Sequence, residues 1–354
     1  MSSHPTSPGS TSTPAPSPIR IDRLEGSEQA VAAWVAVREA CWLADEPDTI
    51  RPSAARALAE MKHPWPGTRV EQWLARSDAN PVGVLALGLS QADNTDVTII
   101  RELSVHPDHR RRGIGSTLWR HAIDQSRAAG RHRLLAETSR PLDRPASPGE
   151  QFAAAMGAGR VTVETRRQLD LATIDDADLA ERLAAARAAS ADYSLVQWIG
   201  MTPPEFVPDM AALTARMSTD VPLDELRWQP EAWDADRVRA RDQVLRNRGT
   251  RSYISAARHD PTGELVAVTR LDLPSGAESH GWQEDTLVLP AHRGHRLGLR
   301  IKIDNLLSVR AQEPALQRVD TWNADANSHM IAINTALGFR PVSQQSEWEL
   351  TLGP

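Results

Sequence analysis

Val105-His106-Pro107-Asp108-His109-Arg110 and Val288-Leu289-Pro290-Ala291-His292-Arg293 share the pattern V-x-P-x-H-R, and each runs on to a glycine and an amphipathic stretch. The offset is constant at 183 residues (288 less 105, 293 less 110), and Gly115 and Gly298 keep it. Solenoid repeats recur at roughly 20–50 residues, so a period of this length marks a duplicated domain. A chain of 354 residues carries the same expectation of two domains.

Outward from each motif the order of elements repeats. Upstream of the first copy, residues 19–21 read as extended, two helical patches follow, and strand-like runs at residues 70–75, 82–89 and 97–105 are separated by turn-forming Asp, Asn and Pro. Ile114, Leu118 and Ala122 then mark one face of a helix ending near Gly130, before a strand at 133–136. The second half has strands at 193–198, 252–257, 265–271 and 286–289, and helices at 204–217 and 231–247. After its motif, Leu299, Ile303, Leu306 and Leu307 form an apolar stripe, followed by a strand at 319–322 and a helix at 327–336. Both halves follow one α+β plan, each a mixed, mostly antiparallel sheet flanked by helices. The expected division is a disordered tail at 1–18, an N-terminal domain at 19–171, a linker helix at 172–191 and a C-terminal domain at 192–354.

Composition narrows the function. Forty basic against 46 acidic residues leave a formal charge of −6, which argues against a nucleic-acid or anionic-membrane footprint. Cys41 is the sole cysteine, so no intrachain disulfide forms and a cytoplasmic location is expected. No stretch approaches the roughly 18 uncharged apolar residues of a membrane span. His292 and His295 sit among arginines with no further ligand set, so no metal is expected.

The loop after the first motif, Arg110-Arg111-Arg112-Gly113-Ile114-Gly115-Ser116, joins a strand to a helix start. Glycines there let main-chain N–H groups approach a ligand, and the helix start concentrates unpaired donors, which suits a pyrophosphate. The arginines add charge-assisted donors for the same anion. With those residues in view, the chain resembles a tandem member of the GNAT superfamily of acyl-coenzyme A-dependent N-acyltransferases, similar in architecture to the mycothiol-forming acetyltransferases. The family signature, Arg or Gln, two residues, Gly, one residue, Gly or Ala, is met by Arg110, Gly113 and Gly115. In the second copy Arg293 and Gly298 match, Arg296 stands in place of the inner glycine, and Gly294 and His295 lie between.

The resemblance implies acetyl-CoA as donor and a small-molecule amine as acceptor. It places the pantetheine arm against the backbone of Leu103 to Val105 and of Leu287, Val288 and Leu289, in a slot opened by a splay between neighbouring strands. It implies pyrophosphate sites at Arg110, Arg111, Gly113, Gly115 and Ser116, and at Arg293, Gly294, His295, Arg296, Gly298 and Leu299. A second family motif, Asn followed by a helix ending in Leu-Gly-Phe, falls at Asn327 and Leu337-Gly338-Phe339. Asn323 and Asn327 are candidates for the pantetheine, with helix capping the other reading of Asn327.

An amine is protonated at neutral pH, so a carboxylate base is sought: Glu102 in the first half, Asp285 or the adjacent Glu284 in the second. Strand alternation sends Glu284 and Asp285 to opposite faces. Many family members place a tyrosine acid where this chain has Asn334 and Ala153. Because the second half keeps both asparagines and Leu-Gly-Phe, it is expected to be catalytic and the first half degenerate. The competing readings are a non-catalytic acyl-CoA-binding protein, motivated by the missing tyrosines, and a donor carried on an acyl carrier protein docked at the arginines.

Overall fold

The computed structural model describes residues 18–220 and 226–353; of the expected tail, all but Pro18 lies outside them. The N-terminal half runs β1 (Ile19–Arg23), α1 (Glu28–Asp45), α2 (Ala54–Lys62), β2 (Thr68–Ser77), β3 (Asn80–Ser90), β4 (Val97–Val105), α3 (Ile114–Ala128), β5 (Arg133–Pro141), α4 (Pro148–Ala155) and β6 (Gly159–Asp170). After α5 (Asp176–Ala188) come β7 (Tyr193–Ile199), α6 (Val207–Asp220), α7 (Ala235–Asn247), β8 (Arg251–His259), β9 (Leu265–Leu273), β10 (His280–Val288), α8 (Leu297–Gln312), β11 (Arg318–Ala324), α9 (Ser328–Ala336) and β12 (Arg340–Thr351).

Local chemistry starts the helices. Ser27, Ser53, Asp175 and Asp234 each accept a hydrogen bond from a first-turn N–H, and Ser147 with Glu150 makes a reciprocal capping box at α4. Leu118 and Ala122 of α3 are fully buried against β3 and β4, as their spacing predicts. In α8 Ile303 and Leu306 are buried, but Leu307 is 38 % exposed; the second buried face carries Lys302, Asp304 and Asn305 instead. The reason is α5. Residues 172–191 do not form a free spacer, because Leu179 and Leu183 pack into the core with Ile303, Leu306 and Val309, and Arg187 bonds Asp304 at 2.7 Å.

The α+β plan is present twice, joined into one twelve-stranded sheet of order β1-β2-β3-β4-β5-β12-β6-β11-β10-β9-β8-β7. Each half lends its last strand to the other. β12 pairs with β5 of the first half, and β6 pairs with β11 of the second, so β12 and β6 lie side by side at the seam. The seam is polar. Arg166 bonds Asp320 at 3.0 Å and Ser343 at 2.9 Å, and Arg133 pairs with Asp96 and Glu349.

Both halves carry a bulge in the strand before the motif. Pairing of β3 with β4 slips between Ala86 and Leu87, and pairing of β10 with β9 slips between Gln283 and Thr286. At the same level the parallel ladder stops: β4 pairs β5 only from Val97↔Arg133 to Ile100↔Ala136, and β10 pairs β11 only from His280↔Arg318 to Trp282↔Asp320. Past those points the strands part. The splay implied by the resemblance is therefore present in both halves.

Candidate active site

In the first half the fork opens into a cavity of about 1070 Å³, lined by Leu103 to Val105, by Arg110, Arg111, Gly113, Gly115 and Ser116, and by Glu102, Trp119, Glu137 and Phe152. Its far end is the start of α3. The first intrahelical bond there is Thr117 N–H to Gly113 O at 3.0 Å, which leaves the N–H groups of Ile114, Gly115 and Ser116 free of helical acceptors. Gly115 lies against Phe152, whose ring would stand 3.2 Å from an added Cβ. The indole Nε1 of Trp119, a buried residue of the slot wall, has no partner among the described residues. An open strand edge, an anion-binding helix start and an orphaned donor along one cavity fit the thiol arm and diphosphate of coenzyme A.

The two loops keep one backbone shape by different means. Each has two left-handed positions: Arg111 (φ 61°) and Gly113 (φ 81°) in the first, Gly294 (φ 89°) and Arg296 (φ 55°) in the second. Glycine and arginine have traded places. Gly294 supplies one left-handed residue, while Arg296 takes the other despite its Cβ and its place as the N-cap of α8.

The signature arginines act otherwise than expected. Arg110 donates to Asp45 at 3.0 and 2.5 Å and to the Val105 carbonyl at 3.1 Å, and Arg293 repeats the arrangement with Asp220 at 2.8 Å and the Val288 carbonyl at 3.2 Å. Their guanidinium groups are spent on the end of α1 or α6 and on the strand before the turn. They hold the loop in place and are not free phosphate donors, whereas Arg111 is exposed at the slot.

Glu102 lines the first slot, but its carboxylate accepts from Arg38 Nε at 2.7 Å and from the Ser104 hydroxyl. Glu137 was missed in the sequence. It follows the last ladder pair of β5, at the fork itself, and accepts from Gln345 Nε2 at 2.5 Å. Glu347 of β12 stands directly opposite it. Glu137 is open to cavity water, yet protein surrounds it on its other sides, and this enclosure pushes its carboxyl up against the pull of Gln345 and Arg101. Enclosure, with Glu137, Glu164 and Glu349 nearby, pushes Glu347 up to about 7. The only sequence signal for the pair is an acidic residue closing the Leu134-Leu135-Ala136 run; the partner lies 210 positions away (347 less 137).

In the second half the bulge overturns the expected alternation. Glu284 pairs with Arg270 at 3.7 Å, and Asp285 lines the same cavity as Arg270, so both carboxylates lie on the α6–α7 side. Enclosure pushes Glu284 up to about 7, opposed by Arg270 and assisted by Asp272 and Asp285, while 35 % of its side chain stays open. Asn334 is fully buried: its Nδ2 donates to Asn323 Oδ1 at 2.7 Å, and its Oδ1 has no partner among the described residues. Asn334 therefore cannot meet a thioester as placed. Asn327 caps α9, accepting from Met330 N–H at 3.2 Å. Leu287 is buried against α6, the Leu289 N–H bonds Val266 O at 2.9 Å, Val288 packs near Gly298, and Leu299 joins the core beneath α5. His295 lies tilted against the Tyr193 ring, whose hydroxyl meets His292 Nδ1 at 3.0 Å. Among the described residues no group of three or more His, Cys, Asp or Glu is placed to hold a metal ion, and no helix is long and apolar enough to cross a membrane.

This doubled fold, with a forked sheet and a helix start at the fork's end, defines an acetyltransferase architecture. The acetyltransferase (GNAT) family model matches residues 34–148, within the first half. A tandem GNAT protein from the clavulanic acid biosynthesis pathway, solved without AcCoA, is 31 % identical, with a TM-score of 0.80 over 95 % of this chain and 99 % of that one. The chain belongs to the GNAT family as a tandem member. At 13 % identity, a GCN5-related N-acetyltransferase from Sphaerobacter thermophilus shares the fold, with a TM-score of 0.63 over 95 % of this chain and 96 % of that one. A putative acetyltransferase from Pyrococcus horikoshii, 11 % identical, has a TM-score of 0.56 over 97 % of this chain and 92 % of that one. No curated protein sequence matches.

Proposed function

We propose that the chain is an N-acyltransferase that moves an acyl group, acetyl first of all, from acyl-CoA to the amine of a small molecule, and that the donor is held in the N-terminal half. The cavity of about 1070 Å³ at the fork of β4 and β5 carries this reading. The expectation had favoured the second half; there Asn334 is sealed in, whereas the first half has the open slot and the stretch matched by the family model.

Acyl-CoA supplies an activated thioester. The chain's own groups do the rest: the open edge of β4 past Ile100 positions the arm, the start of α3 takes the diphosphate, and Arg110 keeps that start in register through Asp45 and Val105. Glu137, its carboxyl raised by enclosure at the fork, accepts the proton that the attacking amine loses; the acyl carbon passes from sulfur to nitrogen, and the departing thiolate takes a proton from water. Glu347 reaches this site only because β12 is exchanged between the halves.

The test is thiol release from acetyl-CoA across a panel of small amines. Glu137→Gln should lower kcat by roughly 10²–10⁴ with the dissociation constant for coenzyme A unchanged. Full turnover in that variant contradicts the role, and no thiol release with any amine contradicts the activity.

A further inference from the structure

Tyr193-Ser194-Leu195-Val196-Gln197-Trp198-Ile199, the sequence of β7, carries no charged residue and no proline. β7 is nonetheless an end strand of the twelve-stranded sheet, with β8 its one neighbour, and it pairs β8 over its whole length without a bulge. Natural edge strands are blunted by charge, proline or bulges, because an open row of N–H and C=O groups templates pairing with another chain. The opposite end strand follows that rule: β1 is shorter and carries Arg20, Asp22 and Arg23. We propose that the chain forms a two-fold dimer in which β7 pairs antiparallel with β7 of a second copy, joining the two sheets into one of 24 strands (twice twelve).

The ladder fixes the register. Asp260 N–H bonds Asp192 O at 2.9 Å and Gly200 N–H bonds Ser252 O at 2.8 Å, so the even-numbered residues of the strand turn their backbone groups to β8. The odd-numbered ones turn theirs outward. Of these, Tyr193 is already satisfied, its N–H by Ser190 O at 3.2 Å and its carbonyl by Arg300 at 2.8 Å. Leu195, Gln197 and Ile199 keep their N–H and C=O groups without a partner among the described residues. The three are centred on Gln197, and a two-fold axis there sets Leu195 of each copy opposite Ile199 of the other and Gln197 opposite Gln197. The N–H groups of the three residues in each copy then find carbonyl acceptors in the other. Side chains agree with that register: Ile199 meets Leu195 and Trp198 meets Val196, apolar on apolar. Gln197 is held within its own copy by Ser255 at 2.7 Å and the Asp304 carbonyl at 3.2 Å.

Charges at the two ends of the strand point to a second copy as the occupant. Asp192 is exposed at its start, and Arg246 is exposed beyond its finish, lying against Met201 Sδ at 3.6 Å. Neither forms an ion pair with any described residue. The register that pairs Leu195 with Ile199 sets Tyr193 of one copy opposite Met201 of the other, and so brings Asp192 of each beside Arg246 of the other. A two-fold interface requires a surface complementary to itself, and these opposite charges at opposite ends supply it. Ile199 is 50 % and Met201 39 % exposed, two of the five large apolar side chains exposed among the described residues, and the same pairing covers both. Pairing β7 with β1 of another copy would instead leave an edge open at each end and build an open chain.

Sedimentation equilibrium of the full-length chain tests this, with far-UV circular dichroism of each variant as the check on folding. The parent is expected to reach twice the mass of one chain below about 100 μM. Ile199→Lys, which puts a charge into the open row, should raise the dimer dissociation constant about tenfold or more. Asp192→Arg and Arg246→Asp should each weaken the dimer by about tenfold, and the two together should restore it to within about threefold of the parent. Amide hydrogen exchange at Leu195, Gln197 and Ile199 should slow as the chain is concentrated, since those are the N–H groups that the pairing covers. A monomer at every concentration, a dimer untouched by Ile199→Lys, charge reversals that fail to rescue each other, exchange at those amides that ignores concentration, or an assembly that grows past two copies overturns the proposal.

Discussion

Arg296 shows how a single residue departs from a family pattern while the backbone does not. A left-handed arginine costs about 1 kcal/mol relative to glycine, and its retention at φ 55° means that the surrounding loop over-determines the turn. Arg296→Gly is expected to stabilise the chain by about 0.5–1 kcal/mol in urea unfolding, and destabilisation would show that the side chain does more than tolerate the turn. Glu347 sits in the opposite situation, a carboxyl whose folded pKa lies above its unfolded value. The folded state then holds its proton more tightly, so the contribution is full below about 4.5 and is lost as pH rises toward 7. Glu347→Gln should therefore match the parent near pH 4 and exceed it by about 1 kcal/mol at pH 8, after allowance for partial exposure. A constant difference between the two pH values contradicts that assignment. The arginines teach a related lesson. Three in a row ahead of a glycine loop read as phosphate donors, but Arg110 is consumed by Asp45, a residue 65 positions earlier that no local pattern connects to it.

At the level of elements, the strands and helices that bury an apolar face were readable, and those that do not were missed. The bounds of β4 follow directly from its run of Val97 to Val105, and α3 from its buried stripe. α4, β6 and β12 went unpredicted. β6 carries Arg160, Glu164, Arg166, Arg167 and Gln168, and β12 offers few apolar residues beside Trp348 and Leu350, so neither shows a hydrophobic period. They are held by ladder bonds on both edges and by charged pairs such as Arg166–Asp320, interactions that exist only after the halves meet. The same applies to the bulge of β10. One extra residue between Gln283 and Thr286 turns Glu284 and Asp285 to one side, and nothing in a string of side chains announces it.

For the whole molecule, duplication has not produced two independent units. Because β12 covers the edge of β5 and β6 lies between β12 and β11, a chain ending at residue 171 should leave β6 without either neighbour and β5 with β4 alone, and fail to bind coenzyme A. A chain ending at residue 339, which keeps the first half's own loop and slot residues but lacks β12 with Gln345 and Glu347, should lose cooperative unfolding of that half; normal folding of either fragment would mean that the exchange is dispensable. The two halves differ at their forks: the first opens into the cavity of about 1070 Å³, and in the second the Thr321 hydroxyl bonds the Gln283 carbonyl at 3.2 Å. Equilibrium titration of coenzyme A into the full-length chain measures that inequality most directly. The prediction is one site per chain, abolished by Gly115→Trp and retained in Gly298→Trp; two sites, or a site lost with Gly298→Trp and kept with Gly115→Trp, would contradict it.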